Sequence, residues 1–185
     1  ITLPFAGMSE TATGYQAVFG YIFGYTTSSS ASTVANATYQ YYNSSNSSSS
    51  RYYHYYIPSS LRKVTITGGS INGNAFNNCS KLTDITIGEN VTKIGTDAFS
   101  GCTGLTGVYI TDLSAWCNIA FGTSISNPLY HAKNLYVNEE LIADLDIPND
   151  VTSISNYAFY NCTAFTSIKV PENVESIGNA AFSGC

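Results

Sequence analysis

One pattern recurs four times along the chain and limits what it can fold into. Leu82, Ile85, Ile87, Val91, Ile94, Ala98-Phe99 and Cys102 return position by position as Phe165, Ile168, Val170, Val174, Ile177, Ala181-Phe182 and Cys185. A third copy runs Ile142, Leu145, Ile147, Val151, Ile154, Ala158-Phe159 and Cys162, and a shortened one runs Leu61, Val64, Ile66, Ile71, Ala75-Phe76 and Cys79. Cys79 and Cys102 lie 23 residues apart, as do Cys162 and Cys185, a period in the range of stacked repeat architectures. The spacing L-x-x-I-x-I sets three apolar side chains on one face of a short strand. A single copy cannot bury that face, so the copies must stack. Stacking places Phe76, Phe99, Phe159 and Phe182 in one column, with Ala75, Ala98, Ala158 and Ala181 small enough to admit the returning backbone.

Composition narrows the function. Of 185 residues, 44% are apolar, enough for a real core, yet only 10% are charged, so hydroxyl and amide groups cover most of the surface. Such neutral polar surfaces suit secreted and cell-surface proteins. Lys and Arg number 7 against 12 Asp and Glu, a net charge of -5, and no basic cluster interleaves with aromatics. Nucleic acid is not an expected partner. No apolar run approaches the length that spans a bilayer, so no membrane insertion by this stretch is expected.

Other stretches depart from the period. Residues 1–59 read as the end of a preceding repeat, because Ile1-Thr2-Leu3-Pro4 matches Leu145-Asp146-Ile147-Pro148, followed by an irregular Tyr/Ser/Asn-rich module. Within it, Tyr15, Val18, Phe19 and Ile22 have helical spacing and suggest a short amphipathic helix weakened by glycine. The Tyr-bearing runs 38–42 and 51–56 suit a hairpin around a Ser/Asn tip. Residues 60–111 and 140–185 are the regular repeats, and both ends look as if the array continues. Between them, 112–139 reads as a degenerate repeat with a helical insert. Asp112 is its N-cap, and Leu113, Trp116, Cys117 and Ala120 share a face on the convex side. Leu135-Tyr136-Val137 offers a strand where the array resumes.

Little in the chain supports catalysis. The repeated cysteines follow the structural period and read as a buried thiol column rather than metal ligands, and Cys117 falls on an apolar helix face. With two histidines, His54 and His131, there is almost no material for a nucleophilic triad or a zinc site. No catalytic residue, metal or cofactor is expected. The outward x positions of the strands form the natural binding ladder. Its candidate ligand-binding residues are Arg62, Lys63, Asp84, Thr86, Tyr109, Asp144, Asp146 and Lys169, with Asp144 and Asp146 sharing one sheet face. Flat and Thr-rich, the ladder lacks strong aromatic or Arg anchors, which favours weak contacts repeated along an array. A competing surface is a patch of Tyr41, Tyr42, Tyr53 and Tyr55, whose rings suit protein or sugar contacts.

The consensus Leu-x-x-Ile-x-Ile-Pro, Val-x-x-Ile-Gly-x-x-Ala-Phe-x-x-Cys, carried by residues 60–111 and 140–185, resembles the BspA-like, Treponema-type leucine-rich repeat. The resemblance implies an α+β repeat protein: a right-handed leucine-rich-repeat solenoid with short parallel strands, interrupted by the Tyr-rich module and the helical insert. It also implies a cell-surface or secreted location and attachment to host matrix or cell-surface proteins, as in adhesins of that family. Two other roles stay open, a carbohydrate-binding module using exposed Tyr and a passive spacer in a larger surface protein.

Overall fold

The computed structural model describes residues 1–26, 37–43 and 52–185. Each regular copy turns three times. The L-x-x-I-x-I stretch forms the first side, in β1 (Thr2–Leu3), β5 (Lys63–Ile71), β6 (Asp84–Ile94), β7 (Gly107–Ile110) and β9 (Leu135–Val137), which pair in parallel in that order. Register follows the repeat: Val64 lies opposite Ile85, Ile85 opposite Val108 and Val108 opposite Leu135, all buried. The alternation seen in sequence is the pleat itself, apolar positions turned inward and polar ones outward.

The V-x-x-I stretch forms a second parallel ladder. The distal ends of β5 and β6 pair Ile71 with Ile94, and Ile94 pairs with Phe121 of β8 (Ala120–Phe121). Two register shifts inside the β5–β6 pair absorb the shortening of the first copy, so its Ile71 still meets Ile94. The Gly after that Ile has a steric cause. A Cβ on Gly95 would fall on the backbone of Asn72 and Gly73, and one on Gly178 on the Asn156 amide nitrogen, so each coil approaches its neighbour there by backbone alone.

The Ala-Phe turn forms the third side. The Phe76 amide donates to the Ala98 carbonyl at 2.8 Å, and Phe159 donates to Ala181 in the same way. The rings of Phe76 and Phe99 stack at 5.0 Å, and those of Phe159 and Phe182 at 5.3 Å. Cys79, Cys102 and Cys162 are buried beside them, and the Cys102 thiol donates to the Phe76 carbonyl. Desolvation pushes the Cys102 thiol up to about 12, so it is an inert core group.

The Phe positions form two stacked runs rather than one, because the insert intervenes. The second run belongs to a separate pair of ladders: β11 (Asp144–Asp146) with β13 (Ser167–Lys169), and β12 (Ser153–Ile154) with β14 (Ser176–Ile177). The strand β10 (Glu140–Leu141) turns back antiparallel on β9 and ends the first sheet.

Three side chains splice the two runs. In a regular coil the Ala carbonyl accepts the Phe amide of the preceding copy, but Ala158 accepts instead from the Trp116 indole, at 2.9 Å, and the Asn127 amide, also at 2.9 Å. Asn127 is fully buried. It donates further to the Tyr157 carbonyl and accepts from the Leu129 amide, so its polar atoms are satisfied. Asn161 likewise reaches the Tyr130 carbonyl. Asp112 caps α1 (Leu113–Cys117) by accepting from Ala115, and α2 (Leu129–Ala132) follows. Trp116 and Cys117 are buried, whereas Ala120 is exposed, because the chain has already left the helix for β8.

Before β5 the chain also differs from its helical spacing. Residues 14–17 and 19–23 form two 3-10 turns separated by an extended Val18 (ψ 137°), so Tyr15, Val18, Phe19 and Ile22 never share a helix face and Ile22 is exposed. Phe19 instead acts as a repeat Phe, its amide donating to the Ala75 carbonyl and its ring 4.8 Å from Phe76. The strands β2 (Tyr25–Thr26), β3 (Ala37–Asn43) and β4 (Tyr52–Pro58) make an antiparallel sheet with β4 in the middle. The Ser/Asn tip between β3 and β4 lies outside the described residues.

Candidate functional site

The outward face of β5, β6, β7 and β9 carries the candidate site. Register sets Lys63 opposite Asp84 and Asp84 opposite Gly107; one step along, Thr65, Thr86, Tyr109 and Tyr136 follow one another. Lys63, Thr65, Asp84, Thr86 and Tyr109, with Glu139 from the turn after β9, line one open depression of about 420 Å³.

A missing side chain shapes this depression. A Cβ at Gly107 would meet the Tyr109 ring at 2.7 Å, so Gly107 leaves the space in which the ring folds back toward Asp84. Tyr109 stacks on Tyr136 with ring centres 4.5 Å apart and 12° between planes. The face is therefore not anchorless. Two rings on adjacent strands form a rigid aromatic wall.

Asp84 is the polar hub. It pairs with Lys63 at 3.3 Å and accepts from the Thr83 hydroxyl at 2.9 Å, with the Tyr109 phenol nearby. Its side chain is only 14% exposed, while Lys63 is 75% exposed. The Tyr109 phenol is raised above its ordinary range, first by desolvation, then by the nearby Asp84 carboxylate, and further by Tyr136 and Glu139. It remains a donor across the physiological range.

Other candidate residues lie elsewhere. Arg62 bends back onto its own turn, donating to the Ser59 and Leu61 carbonyls. Asp144, Asp146 and Lys169 sit on the separate β11–β13 pair. There Asp144 accepts from Thr166 and Ser167, which lower its carboxyl, the Ser167 bond first, and Asp146 pairs with Lys169 at 3.2 Å. Asp144 and Asp146 do share an exposed face, with Leu145 buried between them.

Of the tyrosine patch, Tyr55 is withheld from the surface. Tyr55 is fully buried on the central strand of its sheet, where its ring packs beside Val18 and its hydroxyl donates to the Tyr15 carbonyl at 2.6 Å. Tyr41, Tyr42 and Tyr53 lie on β3 and β4, and their side chains fall outside the described residues. Sequence reasoning missed Tyr136 and Glu139 as site residues. The available signal was Asn138-Glu139 between Tyr136-Val137 and Glu140-Leu141, a two-residue connection that forms the β9–β10 hairpin.

Among the described residues no helix is long and apolar enough to cross a membrane. No curated protein matches the chain. Two solved structures resemble parts of it. A leucine-rich repeat protein from Bacteroides ovatus is 25% identical, covering 70% of this chain and 34% of its own, with a TM-score of 0.34. A leucine rich cell surface protein from Faecalibacterium prausnitzii is 20% identical, covering 77% and 43%, with a TM-score of 0.32. The chain thus spans less than half the length of either. The BspA type leucine rich repeat region matches in six copies over residues 32–127 and 131–185, most of the chain, and with the parallel L-x-x-I-x-I ladder this makes the chain a member of the BspA-type leucine-rich-repeat family.

Proposed function

We propose that this chain is a binding segment of a cell-surface or secreted repeat protein, attaching to host matrix or neighbouring-cell proteins through the outward face of its strands. In this reading the coils form a right-handed solenoid, with the Tyr-rich sheet and the helical insert as interruptions. It binds and does not catalyse. The supporting observation is the convergence of Lys63, Thr65, Asp84, Thr86, Tyr109 and Glu139 from three strands and a turn onto one depression, with Tyr136 of a fourth strand stacked on Tyr109. Tyr is favoured at binding surfaces because it offers a large rigid face and a hydroxyl at little entropic cost.

The test is saturable binding of the chain to an immobilised panel of matrix proteins and glycans, with Tyr109→Ala alongside. Capture of a protein that falls about tenfold or more in the variant, against about 1.4 kcal/mol for a tenfold change, supports the reading. Protein capture unchanged in Tyr109→Ala contradicts the assignment of the face. Glycan capture alone favours the carbohydrate-binding role, and no capture favours the spacer.

A further inference from the structure

Glu139 stands where its own backbone disfavours it. The hairpin joining β9 to β10 has two connecting residues, with Val137 opposite Glu140, and Asn138 and Glu139 both lie at positive φ, 51° and 70°. Two left-handed residues in succession mark a type I′ connection, whose preferred sequences end in Gly. A residue with a Cβ is disfavoured there, least so for Asn and Asp. Elsewhere in this chain positive φ falls on Asn78, Gly101, Asn161 and Gly184, the types that tolerate it, and also on Lys133, Tyr157 and Ala180. Glutamate has no such local advantage, and the turn sets its carboxylate at the depression.

That carboxylate lines the depression. In ladder order Lys63 and Asp84 lie on one side of Tyr109 and Glu139 on the other. Lys63 and Asp84 neutralise each other, and Asp84 takes a further donor from Thr83. Among the described residues no hydrogen bond or ion pair reaches the Glu139 carboxylate. The depression therefore holds one uncompensated negative charge beside an aromatic ring, on a chain whose net charge is -5.

We infer that this depression takes an arginine side chain of a partner protein, its planar guanidinium lying on the Tyr109 ring and hydrogen-bonded to the Glu139 carboxylate. The inference rests on the protein-binding reading above and names what the face recognises. A guanidinium satisfies both features at once, since it stacks on an aromatic face and bonds a carboxylate through two parallel N–H groups. Lysine offers a point charge without the planar stack. A neutral sugar would stack on Tyr109 but leave the Glu139 charge unmatched. The net negative charge also steers a basic segment toward this face.

The test titrates the chain with three short peptides identical except at one position, carrying Arg, Lys or the uncharged isostere citrulline, and with a neutral oligosaccharide. The Tyr109 and Tyr136 ring signals are followed by NMR. The Arg peptide is expected to shift both rings saturably, with citrulline about tenfold weaker or worse and Lys between them. Glu139→Gln, which keeps the backbone conformation and removes the charge, is expected to lose about tenfold for the Arg peptide. Glu139→Asn removes the charge and relieves the turn, so it should lose the same binding with unchanged or raised thermal stability. Equal binding of Arg and citrulline, an unaffected Glu139→Gln variant, or ring shifts driven by the oligosaccharide instead would overturn the inference. A chain that captures a matrix protein through Tyr109 but is indifferent to Glu139→Gln retains the adhesive reading and loses this one. A chain that captures no protein yet binds the Arg peptide through Glu139 does the reverse.

Discussion

Replacing Asn127 with Ala tests how the two repeat runs are joined. The side chain is fully buried and makes three hydrogen bonds: to the Tyr157 carbonyl at 2.8 Å, to the Ala158 carbonyl at 2.9 Å and from the Leu129 amide at 2.9 Å. Both carbonyls keep another donor, Tyr160 for Tyr157 and the Trp116 indole for Ala158, so only the Leu129 N–H is stranded. Stranding one buried donor costs roughly 1–3 kcal/mol, and each of the two other bonds contributes about 1 kcal/mol, so the expected loss is about 4 kcal/mol. Trp116→Phe removes a single donor from a carbonyl that Asn127 still holds, and should cost about 1 kcal/mol for that bond. Together the two changes leave the Ala158 carbonyl bare, so the double variant should lose more than the sum. Urea unfolding followed by far-ultraviolet circular dichroism reads all three. Because each coil contacts only its neighbours, Asn127→Ala should also split the transition in two. A loss below about 1 kcal/mol, or strict additivity in the double variant, would refute the splice.

Three further outcomes are expected. Phe99→Ala, in the stacked Phe column and fully buried, should destabilise the chain by about 3–5 kcal/mol in the same assay, and a loss under about 1 kcal/mol would deny the column. In native thiol labelling at pH 8, exposed Cys185 should react first. Cys79, Cys102, Cys117 and Cys162 should wait for unfolding, since burial raises each thiol, the last three to about 12. Burial lowers the His131 imidazole, so the folded chain resists protonation more than the unfolded one. The stability linked to His131 is full above the unfolded value near pH ~6.5 and is lost as pH falls through the lower folded value; His131→Gln should flatten that limb of a stability-pH curve.

What could be read from sequence was whatever repeats. The apolar positions of β5, β6 and β11 carry the period directly, because alternation along a strand and inward burial are one fact. Lys63, Asp84, Thr86 and Tyr109 were visible as outward positions for the same reason. Features that depend on long-range pairing were hidden. Asn127 looks like any loop amide until Tyr157 and Ala158 are brought to it. Phe19 carries the repeat's Phe role inside a stretch whose spacing mimics a helix, and only the extended Val18 separates the readings. Tyr136 and Glu139 join the site through a two-residue hairpin that interrupts the period. Tyr55 reads as an exposed aromatic, but it lies on the middle strand of its sheet and is buried.

In the proposed function one face, that of β5, β6, β7 and β9, meets the partner. Oxidative footprinting of tyrosine side chains, with and without a captured matrix protein, tests it most directly. Protection of Tyr109 and Tyr136, with half-buried Tyr157 and Tyr160 still reactive on the Ala-Phe turn, is the expected result. Protection of Tyr157 and Tyr160 with Tyr109 and Tyr136 unchanged would place the partner on the Ala-Phe turn instead.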